Sequence, residues 1–195
     1  MSVIAAYYYN AGKRIREIAL DERFEQDEAR SGFCWIALRE PSADELHTLQ
    51  AAYHLHPLAV DNAMHPLCPP KLEVYNDELY IVAQTAELVG DKISYGKTAI
   101  FTGHNHLITA RHGNGGALGN LREQLEASPT LLGKGVDYVL HAILHRIVDQ
   151  YLPIFEMIED DVLAMEKRSI DDFLGRDEVA RIFSLRGELT RFQRT

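Results

Sequence analysis

The sequence predicts an α+β fold: a mixed β-sheet packed with helices, followed by a long helix and a protruding antiparallel helical hairpin. Three observations carry this prediction. From Val136 to Glu166 the apolar residues, among them Val139, Ile143, Ile147, Ile158 and Val162, recur three and four apart, which is the spacing of one helix face. Between Lys71 and Arg111, runs rich in β-branched and aromatic residues are separated by turn-forming residues, the pattern of successive strands. Downstream, Val179, Ile182, Leu185, Leu189 and Phe192 form a second stripe close to a heptad seam, and it pairs naturally with the first as a helix hairpin. At about 1.5 Å of rise per residue, a first run of about thirty residues makes a helix about 45 Å long, more than the diameter of a small domain. Part of it must pack on something other than its own globular body.

The elements follow in order. Ser2 to Asn10 reads as a strand, Asn10-Ala11-Gly12 as a turn, and Arg14 to Leu20 as the returning strand of a hairpin. Asp21 to Ser31 is polar and acidic, as a surface connection is. Phe33 to Leu38 is short and continuously apolar, as expected of a strand covered on both faces. Ser42 with Glu45 three residues on forms a capping box for a helix that buries Leu46, Leu49 and Tyr53. His56-Pro57 ends that helix and opens a second short one through Met64, since proline is tolerated in a first turn. Pro66, Pro69 and Pro70 exclude regular structure after it.

From Lys71 the period is two, with Leu72 and Val74 alternating with Glu73 and Tyr75. Asn76-Asp77 turns the chain into a strand from Leu79 to Ala86. Strands from Ile93 to Thr102 and from His106 to Arg111 are joined at Gly103-His104-Asn105. A glycine-containing loop from His112 to Gly119 leads into a helix over roughly 117–127, which Ser128-Pro129 breaks. Asp137 suits the positive end of the long helix that follows, and Lys167 and Arg168 its negative end. Pro153 inside the run predicts a kink. The chain thus divides into a sheet-bearing part, 1–133, and a helical hairpin, 134–195, with a long helix over about 135–168 and a second over about 177–195. No stop signal closes the second helix at Arg194-Thr195, so the sequence is expected to be a piece of a longer protein.

The formal net charge of −9 argues against a nucleic-acid partner, whose phosphates need a basic face. Cys34 and Cys68 form neither a CxxC pair nor a disulfide framework, which points to a reducing compartment. The N-terminus lacks a signal-peptide pattern, and no run of ~18 apolar residues is present to span a bilayer. No nucleophile elbow, Walker loop or dinucleotide fingerprint is present, so an enzyme is not expected.

Three groups of side chains invite metal chemistry. Asp137, His141, His145 and Asp149 lie four apart on one helix face; they read either as imidazole and carboxylate ligands or as a polar outer stripe. His104, His106 and His112 flank a hairpin turn and read either as a metal cluster or as turn chemistry. His65 and Cys68 lie three apart, but two ligands fall short of a structural zinc site. A metal-dependent enzyme built on these histidines is the alternative function. A plain oligomerisation module is another. Glu156, Glu159, Asp160, Asp161, Glu166, Asp171 and Asp172 crowd the distal hairpin, either as a solvated face or as a field that concentrates cations.

The segment His56-Pro57-Leu58-Ala59-Val60-Asp61-Asn62, then Pro70-Lys71-Leu72-Glu73 and the strand from Leu79 to Val82, resembles a pattern of the CorA family of divalent-cation channels. Asp137 to Leu140, Val148-Asp149, Tyr151-Leu152-Pro153 and the acidic run to Glu166 resemble its long helix, and Arg181 to Arg191 its next one. The resemblance covers the chain from Trp35 onward. It implies a cytoplasmic αβα domain, a homopentamer, and a pore formed by two C-terminal membrane helices with a Gly-Met-Asn signature, neither of which lies in this sequence. It places the protein in the cell's inner membrane, with this part on the cytoplasmic side as an ion-sensing domain. The family carries magnesium and often cobalt or nickel, and has zinc-handling relatives; no organic cofactor is implied. Magnesium-sensing members place an aspartate, a ligand for a regulatory ion between subunits, at the position held here by Asn62, after Asp61. Asparagine offers a carbonyl oxygen without the charge that hard cations favour. Asp61 and Asn62 are the candidate metal residues on this resemblance.

Overall fold

A computed structural model describes residues 2–22, 32–65, 68–90, 92–113, 118, 120–171 and 175–192. Seven strands form one sheet: β1 Val3–Asn10, β2 Lys13–Glu17, β3 Gly32–Arg39, β4 Lys71–Tyr75, β5 Glu78–Val89, β6 Lys92–Thr102 and β7 His106–Gly113. Their order is β2-β1-β3-β7-β6-β5-β4. The β3–β7 pair is parallel and every other neighbouring pair is antiparallel, so the sheet is mixed, as the sequence predicts.

Alternation along β3 explains its continuous apolar run. Cys34, Ile36 and Leu38 enter a core with α1 (Ala43–Tyr53) and α2 (Pro57–Met64) on one face of the sheet. Phe33 and Trp35 enter a second core on the other face, with α3 (Leu121–Glu126), α4 (Pro129–Leu132) and α5 (Val136–Asp149). The two faces give α/β/α layering around the sheet. At the turn between β1 and β2, Gly12 has φ +75, and a Cβ there would lie 1.9 Å from the Pro129 carbonyl oxygen. Only glycine lets that turn sit against α4.

The returning strand ends at Glu17, short of the Leu20 expected; the Ile18 amide still donates to the Ala6 carbonyl of β1, and its side chain is buried in the first core. Most of the connection expected over Asp21 to Ser31 lies outside the described residues. Helix α3 starts at Leu121, later than the roughly 117 expected, and Leu118 ahead of it is buried. In β4 the alternation is present with an unexpected outcome: Leu72 and Val74 are 63% and 62% exposed, while Tyr75 packs on the first core. β4 is the sheet edge, and among the described residues no element covers the face that carries Leu72 and Val74.

The capping box forms as expected: the Ser42 amide donates to Glu45 Oε2 at 2.8 Å, and the Glu45 amide to Ser42 Oγ at 3.3 Å. Replacing Ser42 by Ala should cost about 1 kcal/mol of stability in urea denaturation; an unchanged midpoint would show that this end needs no cap.

The long helix is present and bent. The bend lies at Gln150 and Tyr151, just ahead of Pro153, between α5 and α6 (Leu152–Asp171). The Tyr151 amide donates to Val148 rather than one residue further back, and the Ile154 and Phe155 amides both donate to the Tyr151 carbonyl. Proline in the first turn of α6 has no N–H to continue the ladder. The Tyr151 hydroxyl donates to the Gln84 carbonyl at 2.7 Å and ties the bend to β5. Beyond it, Ile154 and Ile158 of α6 and Leu185 of α7 (Arg176–Phe192) form a third core with Ala86. The helical pair is thus seated on the far end of the β5–β6 ribbon. No helix among the described residues is long and apolar enough to cross a membrane.

Candidate ion site at the end of the second helix

Helix α2 is short, and its sequence Pro-Leu-Ala-Val-Asp-Asn-Ala-Met turns Ala59, Val60 and Ala63 into the first core. That leaves Asp61 on the exposed face, with Asn62 beside it half-buried. Its last carbonyls would be orphaned at a helix end. A lysine from the sheet meets them. Lys97 of β6 is 2% exposed, and its Nζ donates to the carbonyls of Asn62 at 3.3 Å, of Ala63 at 3.0 Å, and of His65. A cation at a helix C-terminus also faces the negative end of the dipole. Burial pulls the Lys97 pKa below the ordinary lysine value, while three carbonyl acceptors hold its protons.

His65 follows directly after α2. Its Nδ1 lies 2.8 Å from the Asp61 carbonyl oxygen and 3.9 Å from the Asp61 carboxylate. Both side chains are solvent-facing, at 68% and 64% exposed. Cys68, grouped with His65 in the sequence, is buried in the first core and does not join it. Among the described residues, no group of three histidines, cysteines or carboxylates is placed to hold a metal ion within one chain.

The structure separates the other histidines. His106 is buried with its ring 5.3 Å from that of Tyr53 and its Nε2 3.7 Å from Glu78. His112 pairs with Glu40 at 3.2 Å. His104 lines a separate pocket with Asn10, Gly12, Leu132 and Gly135. The turn-chemistry reading fits this dispersal. Along α5, His141 and His145 stack with ring centroids 6.0 Å apart and planes 16° from parallel, and His145 Nε2 lies 3.6 Å from Asp149. Asp137 occupies the first turn of the same helix. The four form a ladder on the outer face.

Residues 30–195 match the family described as CorA-like Mg2+ transporter protein. The chain belongs to that family. It is 28% identical over 174 residues to the "Putative metal ion transporter YfjQ" of Bacillus subtilis, an alignment covering 89% of this chain and 53% of that protein. The fold is similar to the soluble domain of CorA from Methanocaldococcus jannaschii, with a TM-score of 0.69, 21% identity, and coverage of 95% of this chain and 72% of that one. It is also similar to the ZntB cytoplasmic domain from Vibrio parahaemolyticus, with a TM-score of 0.72, 13% identity, and coverage of 99% and 74%. The chain spans about half the length of the curated relatives it matches.

In this CorA-family chain the acidic residues Glu156, Glu159 and Asp160 are exposed along α6, with Asp161 half-buried, and Asp171 is the last residue of that helix. Asp172 lies outside the described residues. The sequence pointed to Asp61 and Asn62 through the resemblance alone and gave no place to Lys97. Its signal was a lone lysine in the otherwise uncharged strand segment Ile93 to Thr102, at an inward register position.

Proposed function

We propose that this chain is the ion-sensing part of a CorA-family divalent-cation transporter, with Asp61 and Asn62 as its regulatory ligands. The observation that carries the reading is an exposed Asp61 at the end of α2, on a helix held rigidly from below by Lys97, in a chain of this family. Divalent cations shared between subunits hold a ring of such domains, a homopentamer, in one arrangement. Loss of the ions lets chains of net charge −9 repel and shift, and the ring passes that change to a membrane pore. The sheet-bearing part, 1–133, carries the ligands, and the hairpin, 134–195, transmits the shift. The exposed carboxylates of α6 raise the local cation concentration through their summed field. The protein sits on the cytoplasmic side of the inner membrane, and its partners are its own copies.

The test is to add Mg2+ or Co2+ to an oligomeric preparation and follow melting temperature and protease resistance. At an ion concentration of about a hundred times Kd, a ligand bound by the folded state alone stabilises by about 2.7 kcal/mol. Asp61→Ala should abolish that gain. An ion response that is absent, or that persists unchanged in Asp61→Ala, would sink the assignment.

A further inference from the structure

β3 and β7 run parallel, and their continuations part at the same end of the sheet. The chain after β3 enters α1 and α2 over the first core, and the chain after β7 leads to α3, α4 and α5 on the opposite face. Neighbouring parallel strands whose connections leave to opposite faces form the switch point at which open sheets bind ligands, just outside the carboxyl ends of the strands. Here those ends carry arginines. Arg39 of β3 and Arg111 of β7 are register partners, so both stand on the face of the second core, on backbones about 4.8 Å apart. Thr98 of β6 is the partner of Arg111 on its other side and continues the row.

Two like charges side by side repel, and a polar group taken from water without a partner costs further stability. Arg111 meets both conditions. It is half-buried, its Nε is buried without a hydrogen-bond partner, and burial together with the adjacent Arg39 cation pulls its pKa below the ordinary arginine value. Thr98 is 0% exposed, and its hydroxyl is likewise buried without a partner. Glu40, the nearest carboxylate in sequence, is engaged elsewhere: it accepts from the Gly113 amide at 2.7 Å and pairs with the His112 ring at 3.2 Å. A chain of net charge −9 thus sets two cations and an idle hydroxyl in one row. We propose that Arg39, Arg111 and Thr98 form a binding site for a phosphate group. Guanidinium forks match the oxygens of such an anion, and two of them balance a charge near −2, where a carboxylate would balance one. Lys97 precedes Thr98 on the same strand and points to the opposite face, so this site is independent of the ion site at the end of α2.

The experiment is a calorimetric titration of the protein with inorganic phosphate and, separately, with adenosine monophosphate, free of divalent ions and at constant ionic strength. Binding of inorganic phosphate alone supports the site as one for the free ion. Tighter binding of the nucleotide, with the same dependence on Arg111, supports it as one for a phosphate monoester. Arg111→Met should weaken the binding by about tenfold or more, while the midpoint of urea denaturation holds or rises, because an unpaired, half-buried charge has gone. Thr98→Val keeps the shape and removes the idle hydroxyl; it should weaken binding by about threefold or more without loss of stability, and it carries the test should the Arg111 variant unfold. Failure of both probes to bind the parent protein would overturn the site, as would binding left unchanged in either variant that folds. A lower urea midpoint in Arg111→Met with phosphate affinity intact would give Arg111 a structural role alone and overturn it too.

Discussion

Replacing Lys97 by Met should lower the stability of the protein by about 3 kcal/mol, because it leaves buried carbonyls without donors. Methionine fills much of the same volume, so the loss reports the three hydrogen bonds to Asn62, Ala63 and His65 rather than a cavity. For a chain of this length the expected drop in melting temperature is about 6–12 °C. Hydrogen exchange gives a sharper readout: the amides of α2 should lose protection before those of β6 and β7, since only the helix end has lost its anchor. A loss below about 0.5 kcal/mol, the size of an ordinary surface substitution, would show that water replaces the ammonium without penalty.

Acid should weaken the fold through His106. Burial holds its pKa down to about 4, against an ordinary value of 6.5. Its ring lies between Tyr53, Asn105 and the carboxyl of Glu78. Above pH 6.5 both folded and unfolded states carry the neutral ring, and the contribution to pH dependence is nil. As pH falls from 6.5 toward 4, the unfolded chain takes a proton that the folded one refuses, so stability declines by up to about 3 kcal/mol. Glu78 works in the opposite sense. Burial raises its pKa from 4.5, so the folded state binds protons there more readily and gains stability as pH drops through the window above 4.5. A decline on acidification below pH 6.5 is therefore carried by His106 against the opposing gain at Glu78. Urea denaturation across that range should show a slope that flattens in His106→Phe. Parallel curves for the two proteins would remove His106 from the account.

The local signals survived folding well. The Ser42–Glu45 capping box, the proline-opened helix α2, the turn at Gly103 to Asn105 and the three-four stripe of α5 all stand where the residues predicted. Each is decided by neighbours within one or two turns of chain, where hydrophobic period and capping chemistry act alone. The bend of the long helix lies just ahead of Pro153, as expected, and only the fold ties it to the sheet through Tyr151 and Gln84; β2, in contrast, stops at Glu17, ahead of the buried Ile18.

The candidate site divides in the same way. Asp61 and Asn62 were legible through a resemblance in a short motif, and the contact of His65 with the Asp61 carbonyl follows from their separation of four across the end of α2. The role of Lys97 was not legible, since it lies 32 to 35 residues from the carbonyls it meets and no period links a strand position to a helix end. Nor could spacing show that His104, His106 and His112 disperse to different partners. His106 and His112 share one face of β7 but are held about 20 Å apart by six residues of strand, His104 lies in the turn ahead of it, and only the packed sheet decides what each meets. By itself, then, the sequence determined the elements, their order and the family, because those are written in local period and motif. Which carbonyls Lys97 holds, and which strand the bend of the long helix is tied to, were decided by tertiary structure, because each depends on groups that only the folded sheet brings within hydrogen-bond distance.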